Sequence, residues 1–216
     1  KLQQDSFNKL GFSASKTMHI AQQLYEGIEL DEEGPTGLIT YMRTDSVRIS
    51  NEAEKEARKF IIENYGKEYY PDSPNIFKSK QNAQEAHEAI RPASVLKTPD
   101  KLRKFLTPEQ SKLYELIWNR FIASQMKTAV YLLTSVDIKA GDYMFRVAGT
   151  QEIFPGFNIV YRTEEQEKEL LLPRLSINEE LSLMRFIPGQ HFTKPPARYT
   201  EASLVKALEE MGIGRP

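Results

Sequence analysis

The chain reads as an α+β protein: a mainly helical first part, a β-rich second part and one final helix. Three observations predict this. Through residues 1–127, apolar residues recur at helical spacing behind capping residues. From Thr128 the composition turns to strand formers broken by turn residues. Thr200 then opens one more helical pattern, which closes at Gly212. The expected divisions are 1–127, 128–197 and 198–216, the last reading as the start of a further, truncated domain.

The elements follow in order. Ser15 is placed to cap a helix with Met18, Ala21, Leu24 and Tyr25 on one face, closed by Gly27. Asp31 to Pro35 is a turn, and Thr36 to Tyr41 is a short extended run. Ser50 or Asn51 starts the next helix, with Glu54 as a capping-box partner and Ala53, Ala57, Phe60 and Ile61 as its buried stripe. Tyr69 to Pro74 breaks that pattern into a loop. Thr107-Pro-Glu-Gln110 combines a cap, a first-turn proline and a capping-box glutamine. Leu113, Leu116, Ile117 and Phe121 form the apolar face of that helix, with Trp118 at its border and an end near Met126. Thr128 to Ile138 and Tyr143 to Val147 are strands around an Ala140-Gly-Asp142 turn. Phe157 to Tyr161 and Leu181 to Phe186 are further candidate strands, with Glu165 to Glu169 a charged loop between them. The last helix carries Leu204, Val205 and Leu208. Strand edges around Val130 to Ile138 are expected to lie unpaired and to invite self-association between chains.

Composition narrows the function. The 216 residues carry a formal net charge of -1, so a nonspecific polyanion binder is disfavoured and any nucleic-acid contact must use local positive charge. Lys78, Lys80, Arg91, Lys97, Lys101, Arg103 and Lys104 supply one such cluster, which reads equally as a solvated helical face. With no cysteine, disulfides, thiolate metal sites and cysteine catalysis are excluded. No apolar run is long enough to span a bilayer and no signal-peptide pattern is present. Lys1 in place of methionine, and a Gly-Ile-Gly-Arg-Pro end that ought to lead into further structure, read as a piece of a longer chain.

The chemistry concentrates in Gly37-Leu-Ile-Thr-Tyr41-Met-Arg43-Thr-Asp45-Ser46. A phenol can attack a phosphodiester, and a guanidinium two residues on can hold the phosphate in a fork. Packing for Tyr41 and a surface salt bridge for Arg43 are the competing readings. Asp45 and Ser46 more naturally shape the turn. His87 and Arg91, four apart, would share one face of a helix and could bracket a phosphate. Lys16 lies at a helix start that could attract phosphate. Glu85 and Glu88 could instead be metal ligands, although no second carboxylate pair sits nearby.

The string Tyr41-Met-Arg-Thr-Asp-Ser resembles the active-site signature of bacterial type IA DNA topoisomerases. Ser15-Lys-Thr-Met18 with Ala21-Gln-Gln-Leu-Tyr-Glu26, Glu85-Ala-His87-Glu-Ala-Ile-Arg91-Pro92, and His191 to Val205 running into Gly212-Ile-Gly-Arg215-Pro resemble further family segments in the family's order. The resemblance implies a helical tyrosine domain related to helix-turn-helix (CAP-like) regulators, then half of a gate arch, then re-entry into the enzyme's base. It implies Tyr41 as the nucleophile that becomes joined to a 5′ phosphate, Arg43 as the catalytic phosphate holder and His87 as a DNA contact. It also implies that Arg198, Tyr199, Thr200 and Ser203 line a single-strand channel, with Arg198 on backbone phosphate and Tyr199 stacking on a base. Magnesium would be bound outside this chain, on a toprim domain with an Asp-x-Asp-x-Glu cluster that is absent here; no metal ligand or bound cofactor is expected of these residues. Implied partners are single-stranded and negatively supercoiled DNA and the rest of the parent chain, in the bacterial cytoplasm at the nucleoid and not at a membrane. A non-catalytic helix-turn-helix DNA-binding module is the alternative. A tyrosine recombinase or a topoisomerase making a 3′ link is a second rival.

Overall fold

The computed structural model describes residues 1–31, 34–77, 87–162 and 170–213. Lys78, Lys80, Glu85 and the expected charged loop from Glu165 to Glu169 lie outside them, as does the end of the chain from residue 214. Six α-helices among the described residues are α1 (Leu2–Leu10), α2 (Ala14–Glu26), α3 (Asn51–Asn64), α4 (Pro99–Leu102), α5 (Pro108–Gln125) and α6 (Glu201–Glu210). Two antiparallel hairpins accompany them: β1 (Ile28–Leu30) with β2 (Gly34–Thr36), and β3 (Val130–Ala140) with β4 (Tyr143–Phe154). The α+β class is as the sequence predicts. No helix among the described residues is long and apolar enough to cross a membrane.

The core is built by α2, α3 and α5. Ser13 caps α2, not Ser15: its hydroxyl accepts the Lys16 N–H at 3.2 Å, while Phe12 just ahead of it is buried in the core. The buried stripe of α2 is therefore Thr17, Ile20, Ala21 and Leu24, and Tyr25 stays 40% exposed. Ser50 caps α3 through the Ala53 N–H, and the buried stripe is the expected Ala53, Ala57, Phe60 and Ile61. The Glu54 capping box does not form, because the reciprocating position after Ser50 is Ala53, which has no polar side chain. In α5 the capping box is complete: Thr107 Oγ1 accepts the Gln110 N–H, and Gln110 Oε1 accepts the Thr107 N–H at 3.0 Å. Trp118 is no border residue. It is 4% exposed and donates its indole N–H to the Val95 carbonyl at 3.1 Å.

Beyond α5 the chain leaves this core. β3 and β4 pair along their full length, with a bulge at Val130/Tyr131. Their turn places Gly141 at φ 61°, a conformation glycine adopts without penalty. Outside the pair, the hairpin's one bridge among the described residues is Thr150 with Leu170. The strand expected from Phe157 to Tyr161 is instead a 3-10 turn, Gly156–Ile159, whose Phe157 N–H donates to the Lys127 carbonyl at 3.0 Å. Phe157, Val160 and Tyr161 pack against the helical core from there, so their apolar character serves a corner. Leu181 to Phe186 forms no strand: it meets no partner strand among the described residues, and Leu183, Met184 and Phe186 are exposed. α6 returns to the start of the chain. Glu201 accepts the Ala14 N–H at the head of α2, and Gln4 on α1 donates to Glu209.

Candidate nucleophile site

The extended run after β2 is threaded between the end of α2 and residues 89–93. Leu38 donates its N–H to the Leu24 carbonyl, one of the carbonyls a helix end leaves without a partner. Thr40 donates its N–H to the Arg91 carbonyl at 2.9 Å, and its hydroxyl donates to the Ala89 carbonyl at 2.7 Å while accepting the Arg91 N–H. Ala93 N–H closes on the Leu38 carbonyl, and Ile39 bridges Pro92. Gly37 is required by the crossing with α2, since a Cβ there would sit 2.8 Å from the Tyr25 carbonyl oxygen.

The chain bends at Met42 and Arg43. Met42 is 3% exposed and packs into the core, while Tyr41 (40% exposed) and Arg43 on either side of it are left facing outward. Both line a cavity of about 410 Å³ with Met18, His19 and Gln22 of α2. None of these five side chains is acidic. Among the described residues no ion pair or hydrogen bond holds the Arg43 guanidinium. The Tyr41 ring stands edge-on to Tyr25, with centroids 5.4 Å apart, and to His87 at 6.0 Å. Thr44 and Ser46 shape the following turn: the Thr44 hydroxyl accepts the Ser46 N–H, and the Ser46 hydroxyl accepts the Arg48 N–H.

The predicted residues fare differently. Tyr41, Arg43 and His87 are brought together. His87 and Arg91 do not share a helix face, because residues 87–93 are not helical: Ala89 and Arg91 are instead bonded to Thr40. Arg91 is turned into its own loop, paired with Glu88 and donating to the Pro92 and Ala93 carbonyls, with its side chain 12% exposed. Those bonds give it the work of a strut. Lys16 pairs with Glu109 and lies 4.5 Å over the Phe12 ring. At the start of α2 the Ala14 and Lys16 N–H groups already donate to Glu201 and Ser13, so this helix start offers little to a phosphate. Thr200 and Ser203 spend their hydroxyls on each other's backbone in the cap of α6. Arg198 and Tyr199 are exposed at the foot of that helix and do not line the Tyr41 cavity. The basic segment is partly engaged: Arg103 pairs with Asp100 and Lys104 with Asp31, while Lys101 donates to the Leu96 carbonyl and keeps its charge. Sequence reasoning missed His19 and Gln22. Their only sequence signal is i, i+3 spacing on the helix that supports the tyrosine segment.

Among the described residues, no cluster of three or more histidine, aspartate or glutamate side chains could hold a metal ion. Glu88, considered as a ligand, is engaged by Arg91.

A DNA topoisomerase family model matches residues 1–216. DNA topoisomerase 1 of Xylella fastidiosa is 51% identical, and that of Rickettsia felis 52%, each across the whole chain; the chain spans 28% of the length of each. The structure of full-length topoisomerase I from Thermotoga maritima superposes with a TM-score of 0.78 at 43% identity, covering 99% of this chain and 34% of that one. The chain belongs to the bacterial DNA topoisomerase I family.

Proposed function

We propose that this chain supplies the nucleophile of a type IA topoisomerase, which cuts one DNA strand, lets another pass and reseals the break, relaxing negative supercoils. The observation that carries the reading is an exposed Tyr41 phenol beside an Arg43 guanidinium that has no partner among the described residues, on one cavity whose lining carries no acidic side chain. In cleavage, a bond forms between the Tyr41 oxygen and phosphorus while the bond from phosphorus to the 3′ oxygen breaks. The phenol loses its proton and the leaving oxygen gains one. Arg43 holds the phosphate and offsets the charge that grows on it. His87, edge-on to the phenol, contacts the strand beside it. The phosphotyrosine keeps the bond energy, so the 3′ hydroxyl reseals the strand without ATP.

Magnesium, held by residues outside this chain, would supply charge neutralisation to the reaction; the described residues offer it no site. The chain alone should therefore leave plasmid DNA supercoiled in a magnesium-containing relaxation assay. Exposed Arg198 and Tyr199 are assigned to the single-strand channel, Arg198 to backbone phosphate and Tyr199 to stacking on a base, and residues 128–197 to the gate arch. The edge of β3 that is unpaired among the described residues is assigned to pairing with another chain, and a strict monomer by light scattering at high concentration counts against that.

The decisive experiment is Tyr41→Phe in the full-length protein. Loss of the covalent 5′ adduct with retained single-strand binding is the expected result. An adduct that persists removes Tyr41 as nucleophile, and a 3′ linkage would point to a different enzyme class.

A further inference from the structure

His19 faces the Tyr41 cavity, and a chain of hydrogen bonds running back to α5 dictates which of its nitrogens carries the proton. The chain starts at a group that cannot turn over. The backbone N–H of Thr107 donates to Gln110 Oε1 at 3.0 Å, which fixes the orientation of that amide. Gln110 Nε2 is thereby the atom presented to α2, and it donates to Gln23 Oε1 at 3.0 Å. Gln23 is then oriented as well, with Nε2 directed at His19 Nε2, 3.1 Å away. An amide nitrogen has only hydrogens to offer, so His19 Nε2 must accept. The imidazole proton is left on Nδ1, which has no partner among the described residues.

We propose that Gln110 and Gln23 are positioning residues that hold His19 as its Nδ1–H tautomer, so that the ring meets the bound strand as a hydrogen-bond donor and not as the base that takes the Tyr41 proton. The part concerning DNA rests on the nucleophile reading above; the tautomer rests on the hydrogen bonds alone. A donor here joins Arg43 and the phenol in a cavity without acidic side chains, an arrangement suited to phosphate oxygens.

The test is a pair of measurements on the full-length protein. Long-range nitrogen–proton spectra of histidine-labelled protein, with the His19 signals assigned by their loss in H19N, report the tautomer. Covalent adduct yield on a single-stranded oligonucleotide reports the consequence. In Q110E the substituted carboxylate can still accept the Thr107 N–H and keep the cap, but it has no N–H for Gln23. Gln23 then turns its oxygen to His19, and the proton appears on Nε2. Q23E reaches the same reversal independently, because its carboxylate accepts from both neighbours. Either variant should lower the adduct yield about tenfold. H19N restores a donor near the Nδ1 position, and in that background Q110E should have no further effect.

A His19 tautomer that neither Q110E nor Q23E moves overturns the relay, as does a Q110E loss that persists in full in the H19N background. If the Y41F variant still forms adduct, the nucleophile reading fails; if Y41F abolishes it while the tautomer stays fixed in both relay variants, only the relay fails.

Discussion

The helical body and the β3–β4 hairpin use the same apolar residue types to opposite ends. In the body, Leu24, Leu38, Ile61, Leu113 and Ile122 are fully buried, and the tyrosine segment is tied on one side to Leu24 and on the other to residues 89–93, where Pro92 is fully buried. On and beyond the hairpin, Leu133 and Tyr143 are each 75% exposed and Met184 is 95% exposed. A nucleophile needs a fixed place, and the body provides it through close packing. The hairpin's apolar side chains meet no comparable layer among the described residues, so its geometry rests on backbone pairing and a few cross-strand contacts. Rigidity in this molecule is thus concentrated where the chemistry is assigned.

The contrast can be broken most forcefully at Trp118. Trp118→Ala empties a site joining α5 to α3 through the Phe60 ring, at 5.4 Å, and leaves the Val95 carbonyl without its donor. A loss of about 3–5 kcal/mol is expected by denaturant unfolding, and a loss below about 1 kcal/mol would mean the body is not packed as described. Gly37→Ala is next. Its new methyl would meet the Tyr25 carbonyl at 2.8 Å, a backbone atom that cannot swing aside. About 1–3 kcal/mol should be lost, and near-ultraviolet dichroism should report the disturbed Tyr25–Tyr41 pair. Unchanged spectra and stability would show that this crossing does not position the phenol.

The same contrast explains what the sequence disclosed. Capping chemistry is local, so Thr107, Gln110 and Thr200 could be read directly, and the α3 stripe followed from periodicity. Tyr41 and Arg43 were legible as a motif, while their common outward direction depends on Met42 being drawn into the core. The face expected to be shared by His87 and Arg91 did not form, because a spacing of four implies one only on a helix, and residues 87–93 are not helical. The strand expected at Leu181 to Phe186 failed for another reason: strand preference expresses itself against a partner strand, and none lies alongside it among the described residues. Helical spacing could place His19 beside Gln22 but could not disclose its role, which depends on Gln23 and on Gln110, 91 positions away.

Smaller perturbations sharpen the comparison. Thr107→Ala removes one half of the α5 capping box and should cost about 1 kcal/mol. The backbone N–H that Gln110 accepts survives this change, so thermal stability should fall while the His19 tautomer stays put. Leu133→Ser on the hairpin should change stability by less than about 0.5 kcal/mol, because the side chain is already in water. A larger loss in a thermal scan would reveal packing that the hairpin is here said to lack.

The smallest effect concerns acid. Across the hairpin, Arg146 holds Asp137 with two hydrogen bonds, at 2.6 and 2.9 Å, between residues directly opposite in register. The hydrogen bonding of Arg146 lowers the Asp137 carboxyl below its ordinary value, and the Arg146 charge acts in the same direction. A carboxyl lowered by folding contributes stability that is fully present above its unfolded value and disappears as the pH falls through the folded one. The pair should therefore be indifferent to pH through neutrality and weaken only in acid. Both groups are exposed, so salt screens the interaction and global stability should barely register it. A carboxyl-carbon NMR titration of Asp137 is the appropriate readout. Its midpoint should rise toward the ordinary aspartate value in Arg146→Gln, and the amide signals of β3 and β4 should shift with it while those of α5 remain still. Movement of the α5 signals over the same acid range would mean that the hairpin and the body are coupled, and would end the separation between them.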